Sequence, residues 1–155
     1  MRPRRLGGFA YSGCHRYFVT CCTWQRQCHF TAGVVEALAP IMLTALRERG
    51  HECLAWVFMP DHAHLLLEGL TSEARFRDAM TLARQRTAVA FRRERGTPLW
   101  QDGYFERVLR REEDSGAVIA YILNNPVRAG LVQEWNEYAL SWSVSVADLV
   151  RSGRG

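Results

Sequence analysis

Two strand-length runs, the apolar residues 53–59 and the residues 62–68, are separated by only Pro60 and Asp61. No other feature constrains the fold of this chain as much. Proline and aspartate are turn formers, and so short a connection leaves room only for a tight reversal. The pattern predicts an antiparallel β-hairpin whose strands sit inside a larger sheet. Run 53–59 is also the longest apolar stretch, far short of the roughly 18–20 residues that a membrane span requires.

The segments on either side supply partners and cover for that hairpin. Residues 17–23 are β-branched and aromatic and predict a strand. From 31 to 49, Val34, Leu38, Ile41, Met42, Ala45 and Leu46 recur at helical spacing, and Gly50 ends the pattern. Pro40 inside it marks a kink or a helix start. Residues 72–94 predict the longest helix, capped by Ser72 and ended by Gly96, with Phe76, Met80, Ala83, Thr87 and Phe91 as its inward stripe. Residues 100–109 predict a fourth strand, and 112–125 a last helix stopped by Pro126.

The order strand, helix, strand, strand, helix, strand is the split βαβ, or ferredoxin-like, arrangement of the α+β class. It implies an antiparallel sheet with helices on one face, here followed by a C-terminal helix. At 155 residues and 48% hydrophobic content the chain reads as a single domain, residues 1–155, with a core from about 15 to about 142.

Charge narrows the partners. All 20 basic residues are arginine, and 16 acidic residues leave a net charge of +4, a mild pull toward a polyanion. Residues 72–95 carry seven arginines against Glu73, Asp78 and Glu94, so one helix holds the whole excess. Arg84, Arg86, Arg92 and Arg93 are therefore candidate contacts to the phosphates of a polyanion, with Arg4 and Arg5 of a basic N-terminal arm. A solvated helix face stands beside that reading. The five cysteines contain no CxxC spacing and read as reduced thiols of a cytoplasmic protein. The basic N-terminus lacks the apolar core of a signal peptide.

Two small constellations can carry chemistry. In His62-Ala63-His64 both imidazoles point to one face of a strand, which is half of a divalent metal site or simply a pair of structural histidines. Tyr121 and Asn125 stack one helical turn apart. Tyr121 lies roughly 130° from the centre of the stripe made by Val118, Ile119, Ile122 and Leu123, so it flanks the core. Asn125 offers a carbonyl oxygen to a metal, or else a helix cap. Trp100, Tyr104 and Phe105 either stack on unpaired bases or pack in the core.

Three blocks then resemble a known family. Residues 59–66 (Met-Pro-Asp-His-Ala-His-Leu-Leu), 99–108 (Leu-Trp-Gln-Asp-Gly-Tyr-Phe-Glu-Arg-Val) and 121–132 (Tyr-Ile-Leu-Asn-Asn-Pro-Val-Arg-Ala-Gly-Leu-Val) are together similar to the HUH single-tyrosine transposases, above all the REP-associated tyrosine transposases. The resemblance implies cleavage and strand transfer of single-stranded or hairpin DNA, as monomer or homodimer, with no membrane partner. It implies that His62 and His64 hold magnesium or manganese with Asn125 as third ligand. It also implies that Tyr121 is the nucleophile that forms a 5′-phosphotyrosine. The chain departs from the family at Asp61, where Asn is common, and at residues 138–143, Tyr-Ala-Leu-Ser-Trp-Ser, in the tail block. A rival reading is a non-catalytic nucleic-acid-binding module on the same fold.

Overall fold

The computed structural model describes residues 5–110, 114–145 and 147–148. In chain order the elements are β1 (Arg16–Cys22), α1 (Ala32–Glu48), β2 (His51–Met59), β3 (His62–Gly69), α2 (Phe76–Arg95), β4 (Phe105–Val108), α3 (Ser115–Arg128) and β5 (Ser141–Ser143). The strands form one antiparallel sheet in the order β4-β1-β3-β2-β5. The hairpin expected around Pro60-Asp61 is its centre, with Met59 paired to His62 across the turn.

Strand alternation divides the sheet into two unlike faces. Tyr17, Val19, Cys21, Ala63, Leu65 and Leu67 point to one side and are buried under α1 and α2. The opposite side presents Leu54, Ala55, Val57, Met59 and Leu66, which bury against Ile119 and Ile122 of α3. A β-bulge between Cys53 and Ala55 makes this possible. Cys53 faces the two long helices, whereas both Leu54 and Ala55 face α3, so the rest of β2 changes phase there.

The helices begin and end differently from the sequence pattern in three places. Ser72 does not cap α2. Residues 12 and 75 form an isolated β-bridge, and the Phe76 N–H donates to the Tyr11 carbonyl at 3.0 Å, so tertiary pairing supplies the first acceptor and the helix starts at Phe76. Its far end is as expected, with Gly96 left-handed at φ 69°. Pro126 does not stop α3, which continues to Arg128. Pro126 lies on the buried stripe with Ile119 and Ile122, and hydrogen bonding resumes beyond it from Ala129 N to Asn125 O at 3.0 Å. Pro40 likewise sits inside an unbroken α1. An interior proline costs roughly 3 kcal/mol, less than the burial of Val34, Val35, Leu38, Met42 and Leu46 at roughly 1.5–3 kcal/mol each. The start expected for the last helix, at 112, lies outside the described residues.

Strand β4 is shorter than the pattern. Trp100 makes only an isolated bridge to Thr23, and its indole N–H donates to Thr87 Oγ1 at 2.9 Å in the core. Strand β5 is an addition that pairs Ser141, Trp142 and Ser143 with β2, and the Tyr138 hydroxyl ties the tail down by donating to the Phe58 carbonyl at 2.6 Å.

Gly69 ends β3 where the chain crosses residue 13, and a Cβ on it would run into the Gly13 carbonyl. Because the obstacle is backbone, Gly69→Ala is expected to lower stability by about 1–3 kcal/mol, read as a lower midpoint in denaturant unfolding.

Candidate active site

The cross-strand register sets a grid on the α3 face of the sheet. One row runs Phe105, Thr20, His64, Val57; the next runs Arg107, Phe18, Leu66, Ala55; and Cys22 stands opposite His62. The two imidazoles share this face, with ring centres 4.8 Å apart and planes at 80°. Phe18 stacks on His64 at 5.3 Å.

Each histidine is held by its Nδ1. Asp61 Oδ1 lies 2.7 Å from His62 Nδ1, and Thr20 Oγ1 lies 2.8 Å from His64 Nδ1. The second oxygen of Asp61 accepts from Arg26 Nε at 2.9 Å. Partial burial opposes ionisation of this carboxyl, but His62 and Arg26 outweigh it and hold Asp61 below the usual carboxylate range. Burial, followed by the charges of His62, Arg128 and Arg26, pushes the His64 imidazole down to about 4, so it is neutral at pH 7. With Nδ1 engaged on both rings, the Nε2 atoms are the available donors. Neutral imidazole nitrogens suit a divalent transition ion and tolerate a harder one that keeps water or phosphate ligands. The donor set therefore fits such a cation, although no cluster of three His, Cys, Asp or Glu forms among the described residues.

Helix α3 brings Tyr121 to this pair. Asp114 caps the helix by accepting from Gly116 N at 2.8 Å, and Arg16 of β1 donates to Ser115 Oγ at 2.7 Å, which fixes the helix start against the sheet. Ile119 and Ile122 then face inward, and Tyr121 turns to the side, 44% exposed. Its ring centre lies 6.2 Å from that of His64 and 5.8 Å from that of Phe18. The Arg128 guanidinium sits over the Tyr121 ring at 4.6 Å. A cavity of about 360 Å³ opens beside the phenol, lined by Phe18, Arg107, Asp114, Ala117, Val118 and Tyr121. Asn125 is one turn on, its Nδ2 donating to the Tyr121 carbonyl at 3.4 Å. Among the described residues it makes no hydrogen bond to either histidine.

The arginines chosen from charge alone lie elsewhere. Helix α2 covers the opposite sheet face, so Arg84, Arg86, Arg92 and Arg93 are not brought to the histidines. Arg84 donates to the Gln101 carbonyl at 2.6 Å and lies over Tyr104, and Arg86 pairs with Glu48 at 2.8 Å. Arg92 and Arg93 are exposed on the last turn. Arg5 pairs with Glu106 at 3.4 Å, while Arg4 lies outside the described residues. Trp100 and Tyr104 are core residues, whereas Phe105 is 47% exposed on the histidine face. Arg26, Arg107 and Arg128 border the site instead. Distance in sequence from both constellations hid Arg26 and Arg107, whereas Arg128, seven residues after Tyr121 on the same helix, was within reach of the helical period.

Residues 10–125 match the family model described as transposase, IS200 like. The chain is similar to the REP-associated tyrosine transposase of Escherichia coli (strain K12), at 26% identity over 137 residues, covering 81% of this chain and 79% of that protein. Its fold is similar to the solved structure of a REP-associated tyrosine transposase bound to a REP hairpin. That match has a TM-score of 0.75 at 22% identity and covers 100% of this chain and 88% of the other.

Thr20→Val keeps the shape of the side chain but leaves His64 Nδ1 without its partner in a nearly buried site. An expected loss of about 1–2 kcal/mol in unfolding free energy follows, measured by denaturant titration at neutral pH.

Proposed function

The chain belongs to the IS200-like transposase family, a family of DNA-processing enzymes, and from that membership we propose that it cleaves and rejoins single-stranded DNA through Tyr121. The observation that carries the reading is the approach of an exposed phenol to His64, whose ring lies 4.8 Å from that of His62, with Nδ1 of both imidazoles turned to other partners. In the proposed step Tyr121 Oη bonds to phosphorus and the bond from phosphorus to the 3′ oxygen breaks. The phenolic proton passes to solvent, and the 3′ oxygen takes up a proton and leaves as a hydroxyl. The 5′-phosphotyrosine conserves the ester bond, so a second 3′ hydroxyl reverses the step and joins strands without ATP.

His62 and His64 would hold magnesium or manganese, with Asn125 as a third donor after a rotation that frees its amide. Such an ion would supply Lewis-acid polarisation of the scissile phosphate. Arg128, over the nucleophile's ring, and Arg107, across the cavity, supply positive charge where phosphate oxygens would lie. The cavity beside Tyr121 has an aromatic floor at Phe18 and accommodates an unpaired base next to the cut. A hairpin-forming substrate is proposed by analogy with the relative bound to a REP hairpin. Arg92 and Arg93, on the far side of a ferredoxin-like sheet, are left as a separate backbone contact for flanking DNA, with Arg84, Arg86 and the N-terminal Arg4 and Arg5 as weaker candidates.

Incubation with hairpin-containing single-stranded DNA and manganese, read on a denaturing gel, tests the reading. The wild type is expected to give a cut strand and a covalent protein–DNA band, both abolished by chelator and by the His62→Ala/His64→Ala pair. Tyr121→Phe is expected to lose both products while DNA affinity stays within about twofold. Persistent adduct in that variant would move the nucleophile, and binding without any wild-type adduct would favour the non-catalytic module. Arg128→Gln is expected to weaken binding and to reduce the salt slope of log K by about 0.7, the share of one single-strand phosphate contact.

A further inference from the structure

Taking the proposed metal reading as its basis, we infer that Asp61 and Arg26 are a positioning pair: Asp61 sets the orientation and tautomer of His62, and Arg26 fixes Asp61. An ionised carboxylate only accepts hydrogen bonds. At 2.7 Å from Asp61 Oδ1, His62 Nδ1 must therefore carry a proton, and in the neutral ring the lone pair then falls on Nε2. The partner of His64 has no such authority, because the Thr20 hydroxyl either donates or accepts. Of the two imidazoles, His62 alone has its tautomer dictated by its partner.

Arg26 controls the carboxylate. Its Nε binds Asp61 Oδ2 at 2.9 Å while its Nη1 donates to Cys22 Sγ at 2.8 Å, and Cys22 is the cross-strand neighbour of His62. Each oxygen of Asp61 thus has its own partner, and the carboxylate is oriented as an acceptor for His62. The backbone bends to achieve this. Gln25 and Arg26 are consecutive non-glycine residues in the left-handed region, at φ 53° and 55°, a conformation side chains disfavour and surrounding contacts must impose. Those contacts converge on the Asp61 turn: Thr23 N and Thr23 Oγ1 both donate to the Asp61 carbonyl, at 3.0 and 2.9 Å, and Thr23 Oγ1 also reaches the Gln27 carbonyl at 2.7 Å. The strained turn and the Asp61 turn are thus clamped to each other.

The test titrates manganese into the full chain without DNA, reads free ion by electron paramagnetic resonance, and follows the His62 tautomer by nitrogen NMR. Histidine-dependent binding in the wild type is the premise; its absence would overturn the metal reading itself and this inference with it. Given that binding, Asp61→Ala is expected to weaken manganese about 10–100-fold and to mix the His62 tautomers. Asp61→Asn, which keeps a neutral acceptor and guards against a misfolded alanine variant, is expected to fall between. Arg26→Gln is expected to weaken binding several-fold in the wild type and to add nothing in the Asp61→Ala background. Unchanged affinity and tautomer in Asp61→Ala would overturn the pair, as would an undiminished Arg26→Gln effect in that background. The Arg26 and Asp61 side chains are 52% and 24% exposed, so a purely structural role predicts a shift in melting without a shift in tautomer.

Discussion

His62 and His64, two residues apart on β3, can face only one side of the sheet, and Ala63 and Leu65 must then face the other. The second pair is buried under α1 and α2, where a one-residue slip of register would drive two imidazoles into an apolar core. Burial on one face therefore locks the position of the histidines on the other. The same register carries Thr20 to His64, Cys22 to His62 and Phe18 to the floor of the cavity. Disturbing the β1–β3 ladder would move every group of the site at once.

Helix α3 depends on that face in turn. It rests on Leu54, Ala55, Val57, Met59 and Leu66 through a narrow stripe of Ile119, Ile122 and Pro126, flanked by the partly buried Val118 and Leu123, which sets its rotation about its own axis. The bulge at Leu54 widens the apolar bed, and the buried Pro126 extends it by another turn. Tyr121 is exposed because the stripe on either side of it is not. An exposed phenol beside a nearly buried, neutral histidine is the juxtaposition on which the proposed chemistry rests.

The distribution of positive charge carries a second lesson. Helix α2 holds the whole net excess, yet Arg84 and Arg86 are committed to Gln101 and Glu48, and the helix lies across the sheet from the histidines. Near the site, three arginines from three different elements converge: Arg26 from the turn after β1, Arg107 from β4 and Arg128 from the end of α3. A count of charges along the chain weighs neighbours in sequence, whereas an anion responds to neighbours in space.

Much was legible in the residues themselves. The hairpin around Pro60-Asp61, the common face of His62 and His64, the inward stripe of α2 and the lateral position of Tyr121 all follow from periods of 2.0 and 3.6, which are local properties of the backbone. The three motif blocks carried the family. What local periodicity cannot reach is anything decided by a partner distant in sequence. Ser72 lost its capping role to the pairing of residues 11–13 with 74–76, Pro126 was overruled by packing on the sheet, and three serine-rich tail residues became β5 only because β2 had an unpaired edge. The sequence by itself determined which side chains share a face. Only the tertiary structure decided which faces meet, bringing Arg26 to Asp61 and Tyr121 to His64, because those contacts join segments whose separation along the chain no local rule spans.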